Sequence, residues 1–379
     1  MARGTSHSTH SPELTLGRNV GQGGFSNVSD ILAIDIHENS DAKRRGLAQQ
    51  ANAPESSFVL KTLRSDLPDE EHAKGVLDLA IEADFLKVLS HPHIITMRGM
   101  ADTDPHLPGF FVVLDRLLMT LDRRFNYWRK IVGENAGYWV PCYGYCCAKA
   151  PVLHQIWKER LVVALNMAQA IQYLHQQQII YRDLKPDNIG FDQNNQLKIF
   201  DFGLAKRLDD VERTDEGLYK LTGNTGSLRY MAPEVANDEA YDLSVDIYSF
   251  GIIFWQICSL TTPFAGYNQK LHAERVVRQG HRPKPDSSWP MSWVALMTEC
   301  WSQDRAVRPT MDAVVSNLEE RVKELSEDDG IIPTRASEIR AKRRKKKKTT
   351  AQSTRLDVDT RISTEVDSPN NKRFENDIV

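Results

Sequence analysis

The stretch IIYRDLKPDNIGF, Ile179 to Phe191, sets two cations, two acids and an amide between apolar flanks: Arg182, Lys185, Asp183, Asp187 and Asn188. A surface loop accounts for these charges but not for the apolar residues around them. A second segment, LKIFDFGLAK (Leu197 to Lys206), repeats the pattern, with Asp201 interrupting an apolar run just before a glycine. Short apolar runs ending in polar residues read as strand ends that carry those residues into a shared cleft.

At 379 residues the chain holds one large domain or two modest ones. Its net charge of -3 argues against an overall grip on nucleic acid, although a local basic patch stays open. Five cysteines is an odd number, and Cys258 and Cys300 sit in apolar helical patterns. That favours free buried thiols in a reducing compartment, cytoplasmic and/or nuclear, over a disulfide framework. The opening MARGTSHSTHSPE lacks the apolar core of a signal peptide. The longest apolar stretch, IYSFGIIFWQICSL, is too short for a transmembrane segment and contains Ser and Gln.

Along the chain, residues 1–13 read as a disordered lead. Alternating apolar residues around a glycine cluster predict two strands from Leu14 to about Ile36. Residues 37–57 are polar and aperiodic, which predicts a loop insertion. FVLKTL reads as a strand, residues 70–90 as a helix through Val76, Leu77, Ala80, Ile81, Phe85 and Leu89, and GFFVVLDRL as a buried strand. A long helix over WKERLVVALNMAQAIQYLHQ follows, then the two charged segments and helices at about 243–260 and 311–325. Residues 126–155 read as a second insertion, and 326–379 as a disordered basic tail. A strand-rich third followed by helices predicts an α+β domain of two lobes, about 14–115 and 116–325, with a cleft between them.

Within that frame, particular residues carry chemistry. In GQGGFSNV, glycines at a strand turn let backbone N–H groups approach phosphate oxygens, although alone they specify only a tight turn. Lys61, inside the apolar FVLKTL, needs an anion, and Glu82 on the predicted helix is a candidate. Asp183, Asn188 and Asp201 are hard oxygen donors of the kind Mg²⁺ takes alongside phosphate and water. A carboxylate able to accept a hydroxyl proton completes a phosphoryl-transfer site.

From about Leu14 to Leu325 these fragments, in this order, resemble a eukaryotic protein kinase with its two-lobed fold, and the resemblance implies ATP and Mg²⁺ as cofactors. Gly21, Gln22, Gly23, Gly24, Phe25 and Val28 match the loop over the ATP phosphates. Lys61 matches the lysine on the α- and β-phosphates, and Glu82 its helix partner. YRDLKPDN matches the catalytic loop, with Asp183 as the base orienting the substrate hydroxyl, Lys185 on the γ-phosphate and Asn188 on the second metal ion. Asp201 matches the principal Mg²⁺ ligand. Glu234 in APE would pair with Arg308, and Asp246 would anchor the catalytic loop from below. Leu114 matches the gatekeeper, followed by hinge residues Asp115, Arg116 and Leu117, with Asp122 in reach of the ribose.

Lys185 and Ser227 are similar to Ser/Thr kinases, and IYSFGIIFWQI with CWSQDRAVRPTM resembles the tyrosine-kinase-like group, whose members mostly modify Ser and Thr. Tyrosine or dual specificity is the alternative; a binding-only pseudokinase scaffold is disfavoured because Lys61, Asp183 and Asp201 are all present, and a small-molecule kinase because the APE segment, Asp246 and Arg308 are too. Tyr181 stands in the usual His position and Ser26 in that of the third loop glycine. Val59 replaces the Ala of the adenine roof and Gly190 the Leu of its floor, a swap expected to keep the slot's volume while shifting the base. Arg182 beside the catalytic acid implies activation by an upstream kinase at Thr222 or Thr225, unless Asp215 or Glu216 supplies the charge. The run IRAKRRKKKK (Ile339 to Lys348) suits an import receptor, anionic lipid or RNA, and protein substrates complete the implied partners. Cys142, Cys146, Cys147 and His154 fit no zinc spacing, so free thiols are expected.

Overall fold

In the computed structural model, residues 14–35, 42–53, 58–107, 109–136, 150–208, 213–327 and 334–335 are described. The N-terminal part is an antiparallel five-stranded sheet of order β1-β2-β3-β5-β4: β1 (Leu14–Gln22), β2 (Ser26–Ile34), β3 (Phe58–Leu63), β4 (Met97–Met100) and β5 (Phe111–Asp115). β3 is therefore interior, which excludes a solvated edge position for Lys61.

The region expected as a loop insertion at 37–57 instead holds α1 (Ala42–Ala51). Its Ala48 and Ala51 join Ile31, Ile34, Phe58, Leu60 and Val113 in a small core on one face of the sheet. The Asn52 side chain then closes the helix end, accepting from the Ile34 N–H at 2.8 Å and donating to its carbonyl at 3.0 Å. Ala42, Gly46, Leu47, Ala48 and Ala51 are the small or apolar residues of the ten, too faint a period to signal a helix. The sheet face that Ala48 and Ala51 cover supplies the stability instead.

Helix α2 (Asp69–Val88) carries three acids in its first turn, complementing the helix dipole. Its buried face is Gly75, Leu79, Ala80, Glu82, Ala83 and Leu86, whereas Leu77, expected inside, is exposed. The helix is rotated because it presents Glu82 rather than its bulkiest apolar residue to the cleft.

The C-terminal part is helical. It comprises α3 (Leu121–Ala136), α4 (Ala150–Gln176), α5 (Pro233–Ala236), α6 (Ser244–Ser259), α7 (Gln269–His272), α8 (Met291–Cys300) and α9 (Met311–Glu327). Much of the expected second insertion is regular helix: α3 runs through it to Ala136 with Trp128 fully buried, and α4 begins at Ala150 rather than Trp157. Cys142, Cys146 and Cys147 lie outside the described residues, as do residues 1–13 and all of the tail from 336 onward. Helix α6 is buried from Val245 through Cys258, the signature of a helix apolar on every side and placed at the centre of the core. Cys258 and Cys300 are free and buried.

Between the lobes lie short strands: β6 (Met119–Thr120), β8 (Ile189–Phe191) and β9 (Leu197–Ile199) in one sheet, and β7 (Ile179–Ile180) with β10 (Lys206–Arg207) in another. Among the described residues no helix is long and apolar enough to cross a membrane.

Candidate active site

The polar loop between β7 and β8 is held from beneath by one buried carboxylate. Asp246, fully buried on α6, accepts from the Tyr181 and Arg182 backbone N–H groups at 2.9 Å each and from His175 Nε2 at 3.0 Å. Three donors satisfy an acid that burial would otherwise penalise. They also stabilise Arg182 in the left-handed region at φ 69°. The Tyr181 hydroxyl donates to the Phe200 carbonyl, and its ring meets Phe202 edge-on at 5.2 Å.

The next residue, Asp183, is buried, and three side chains converge on its carboxylate. Lys185 Nζ (2.6 Å) and Asn188 Nδ2 (2.9 Å) donate to Oδ2, and Ser227 Oγ (3.0 Å) donates to Oδ1. Ser227 reaches it because Gly226 adopts φ 96° in a space where a Cβ would lie 2.4 Å from the Arg182 carbonyl oxygen. With Asn188 Nδ2 spent on Asp183, its carbonyl Oδ1 is the atom left for a cation.

Asp201 follows β9 with φ 68°. Lys61 Nζ bridges it to the upper lobe, 3.1 Å from Asp201 Oδ1 and 2.5 Å from Glu82 Oε2. Burial alone would lower the lysine's pKa, but the Asp201 and Glu82 carboxylates outweigh it and raise it. Lys61 correspondingly holds Asp201 below its ordinary value. Burial pulls Glu82 the opposite way, against the attraction of Lys61, and its Oε1 has no hydrogen-bond partner. An ammonium has three donors, so one remains for a further anion. Asp78, a residue no sequence motif marked, lies one turn before Glu82. Burial and then the Asp201 charge push its pKa up to about 6. A Cβ on Gly203 would come within 2.9 Å of the Asp78 Cβ, so this glycine sets the approach of α2 to the cleft.

The glycine turn caps the cleft. Gly21 pairs with Val28 and Gln22 with Asn27. The Gly23 N–H donates to the Ser26 carbonyl at 2.8 Å, and Arg64, the residue after β3, holds the turn by donating to the Gly24 and Phe25 carbonyls. Phe25 seats against Gly75 of α2, where a Cβ would come within 2.7 Å of it. Val59 and Leu114 are buried cross-strand neighbours. The Asp115 carboxylate is taken up by Arg98 at 2.6 and 3.0 Å and Arg116 by Asp30 at 2.7 Å, so these hinge side chains are committed outside the slot. The space that Gly190 leaves is filled: a Cβ there would lie 2.6 Å from Leu117 Cδ1. The lost floor side chain is thus replaced from the hinge, which sequence spacing could not reveal. Asp122 is exposed at the start of α3.

Farther down, Glu234 and Arg308 form a buried two-pronged ion pair at 2.5 and 3.0 Å. Arg182 donates to the Leu204 carbonyl at 2.6 Å and approaches the Tyr241 hydroxyl at 3.4 Å, which in turn donates to the Thr222 carbonyl. Thr222 is exposed, and Thr225 Oγ1 donates to the carbonyls of Thr222 and Gly223. Glu216 lies 3.9 Å from Arg305 rather than at Arg182.

Hard donors at Asn188 and Asp201, with a spare ammonium donor at Lys61, fit a divalent ion bridging to a polyphosphate. Among the described residues no cluster of three or more His, Cys, Asp or Glu could hold a metal ion.

The chain is similar to two Arabidopsis thaliana proteins. One is serine/threonine-protein kinase STY17, 34% identical over 45% of this chain and 28% of that protein. The other is serine/threonine-protein kinase STY46, 27% identical over 71% and 41% respectively. The chain therefore spans well under half the length of these relatives. Residues 14–318 match the family described as protein tyrosine and serine/threonine kinase, and the chain belongs to that family.

Proposed function

We propose that this chain is a protein serine/threonine kinase that transfers the γ-phosphoryl group of ATP to Ser and Thr hydroxyls of protein substrates. The observation that carries the reading is the convergence of Lys185, Asn188 and Ser227 on Asp183, facing the Lys61–Asp201 pair. The Asp183 carboxylate orients the incoming hydroxyl and receives its proton as the oxygen attacks phosphorus. Lys185, already 2.6 Å from Asp183, sits beside the transferring group and offsets its charge. Lys61 binds the α- and β-phosphates with its spare donor, and Glu82 fixes that ammonium. The glycine turn closes over the phosphates, while Val59, Leu114 and Leu117 enclose the base above Gly190. Asn188 and Asp201 would hold Mg²⁺, whose chemistry when bound is neutralisation of phosphate charge.

Ser227 on Asp183 favours Ser/Thr over tyrosine acceptors, because the serine narrows the space beside the carboxylate. Control by an upstream kinase at Thr222 or Thr225 belongs to the same reading: Thr222 is exposed and linked through Tyr241 to Arg182, whereas Glu216 is engaged elsewhere. Alanine at both threonines would then depress activity. Free buried thiols fit a cytoplasmic or nuclear location. Incubation with Mg·ATP and a degenerate peptide array, followed by phosphoamino-acid analysis, tests the specificity: phosphoserine and phosphothreonine are expected, and dominant phosphotyrosine would overturn it.

A further inference from the structure

Next to the catalytic loop lies a cavity of about 260 Å³ that the transfer reaction does not use. Lys185 and Ser227 border it on one side, Asp122 and Asp187 flank it, and Gln256 and His272 also line it. Asp122 and Asp187 are exposed, and among the described residues neither carboxylate has an ion-pair or hydrogen-bond partner. With Lys185 engaged by Asp183, Arg229 is the lining cation left facing the carboxylates of Asp122 and Asp187.

A second, independent feature points to a ligand. His272 is 1% exposed, yet neither ring nitrogen has a hydrogen-bond partner. Burial, and then Arg282 and Arg229, lower its pKa to about 4, so the ring is neutral at pH 7 and offers a lone pair to an N–H donor. Two free carboxylates and an unpartnered neutral imidazole describe a receptor for ammonium or guanidinium groups.

This chain carries such groups itself. Residues 340–348 hold eight lysines and arginines, and the next two residues are Thr349 and Thr350. The tail is also tethered near the cavity. The Arg335 N–H donates to the Ser288 carbonyl at 2.8 Å. Four residues earlier, the Lys284 carbonyl accepts from Trp255 Nε1 at 3.0 Å, and Trp255 adjoins Gln256 of the cavity wall. Those four residues span at most about 14 Å, whereas the fourteen from Arg335 to Thr349 reach about 48 Å when extended.

We propose that this cavity seats the basic run of the chain's own tail and that Thr349 and Thr350 are phosphorylated within the same molecule. The inference rests on the kinase reading above. The threonine Oγ1 forms the new bond to the γ-phosphorus, and the bond from that phosphorus to the β,γ-bridging oxygen breaks. ADP leaves with the electron pair, and the hydroxyl proton passes to Asp183.

The test uses the full chain with Mg·ATP and locates phosphate by mass spectrometry. A Lys345→Gln, Lys346→Gln, Lys347→Gln, Lys348→Gln variant is run in parallel. So is an Asp122→Lys, Asp187→Lys variant given a peptide of residues 340–353 and a second in which its four consecutive lysines are glutamates. Expected are labelling of Thr349 and Thr350 at a specific rate unchanged by dilution and at least tenfold slower labelling in the lysine variant. The pocket variant should reverse the preference between the two peptides. Labelling of the added peptide with Thr349 and Thr350 unmodified would overturn the proposal, including the case where the tail instead binds phosphatidylserine vesicles or RNA. Equal rates in the lysine variant, a dilution-dependent rate, or an unchanged peptide preference would overturn it too. No labelling of any peptide by the native chain would instead overturn the kinase reading beneath it.

Discussion

Replacing Gly190 with leucine restores the side chain that kinases usually carry at the floor of the adenine slot, and here it should do harm. The built Cβ alone lies 2.6 Å from Leu117 Cδ1 and 3.3 Å from Leu117 Cβ and Cγ, well inside van der Waals contact. The backbone cannot retreat, since Gly190 pairs with Thr120 on one side and Lys198 on the other. The Leu118 N–H is also tied to the Phe191 carbonyl at 2.8 Å. Leu117 must therefore leave its rotamer and enter either the slot or solvent. Overpacking of this kind costs about 1–3 kcal/mol. Expressed in nucleotide binding, that is roughly a tenfold to hundredfold weaker Kd for ATP. Leu117→Ala in the same chain removes the collision, so the double variant should recover most of the loss, with a coupling energy of about 1–3 kcal/mol. Isothermal titration calorimetry on the four proteins measures it. Unchanged ATP affinity in Gly190→Leu, or losses that simply add, would refute the claim that Leu117 supplies the missing floor.

Other outcomes follow from the same contacts. Arg308→Leu leaves Glu234 charged in a buried site and should cost about 3–5 kcal/mol in urea unfolding; a loss below 1 kcal/mol would mean the pair does not anchor this region. Gly226→Ala combines a left-handed φ with a collision at the Arg182 carbonyl oxygen. It should lower kcat at least about tenfold through the lost Ser227–Asp183 bond while barely moving KM for ATP. His272 has a folded pKa of about 4, below the ordinary value near 6.5. Its contribution is intact above pH 6.5 and is lost as pH falls towards 4, at up to about 1.4 kcal/mol per unit. His272→Met should flatten the stability profile over that window, and an unchanged slope there would contradict the assignment.

The cleft was legible because its chemistry is local in sequence. Asp183, Lys185 and Asn188 sit within one short loop, and Asp201 follows thirteen residues after Asn188. The strand carrying Lys61 was visible because Phe58, Val59 and Leu60 are consecutive apolar residues, all three buried, the mark of a strand covered on both faces there. What escaped depends on contacts between distant segments. The ten residues of α1 are helical because a sheet face lies against Ala48 and Ala51, which their own spacing does not announce. The phase of α2 follows from Glu82 facing Lys61, so an apolar count misplaced Leu77. At Gly190 the spacing offers Val59 as the compensation for the missing floor side chain, whereas Leu117 fills that space from another strand connection. His272 and Asp78 carried no motif; only burial and proximity to charge mark them.

The most direct measurement is phosphoryl transfer by the Asp183→Asn chain, beside the native one, with γ-labelled ATP, Mg²⁺ and a Ser/Thr peptide library. Asparagine preserves the size of the side chain and can still accept from Ser227, so ATP should bind within a fewfold of native while transfer falls by about 10²–10⁴. Transfer at a comparable rate by Asp183→Asn would contradict the assignment of the catalytic carboxylate, and with it the account of this site.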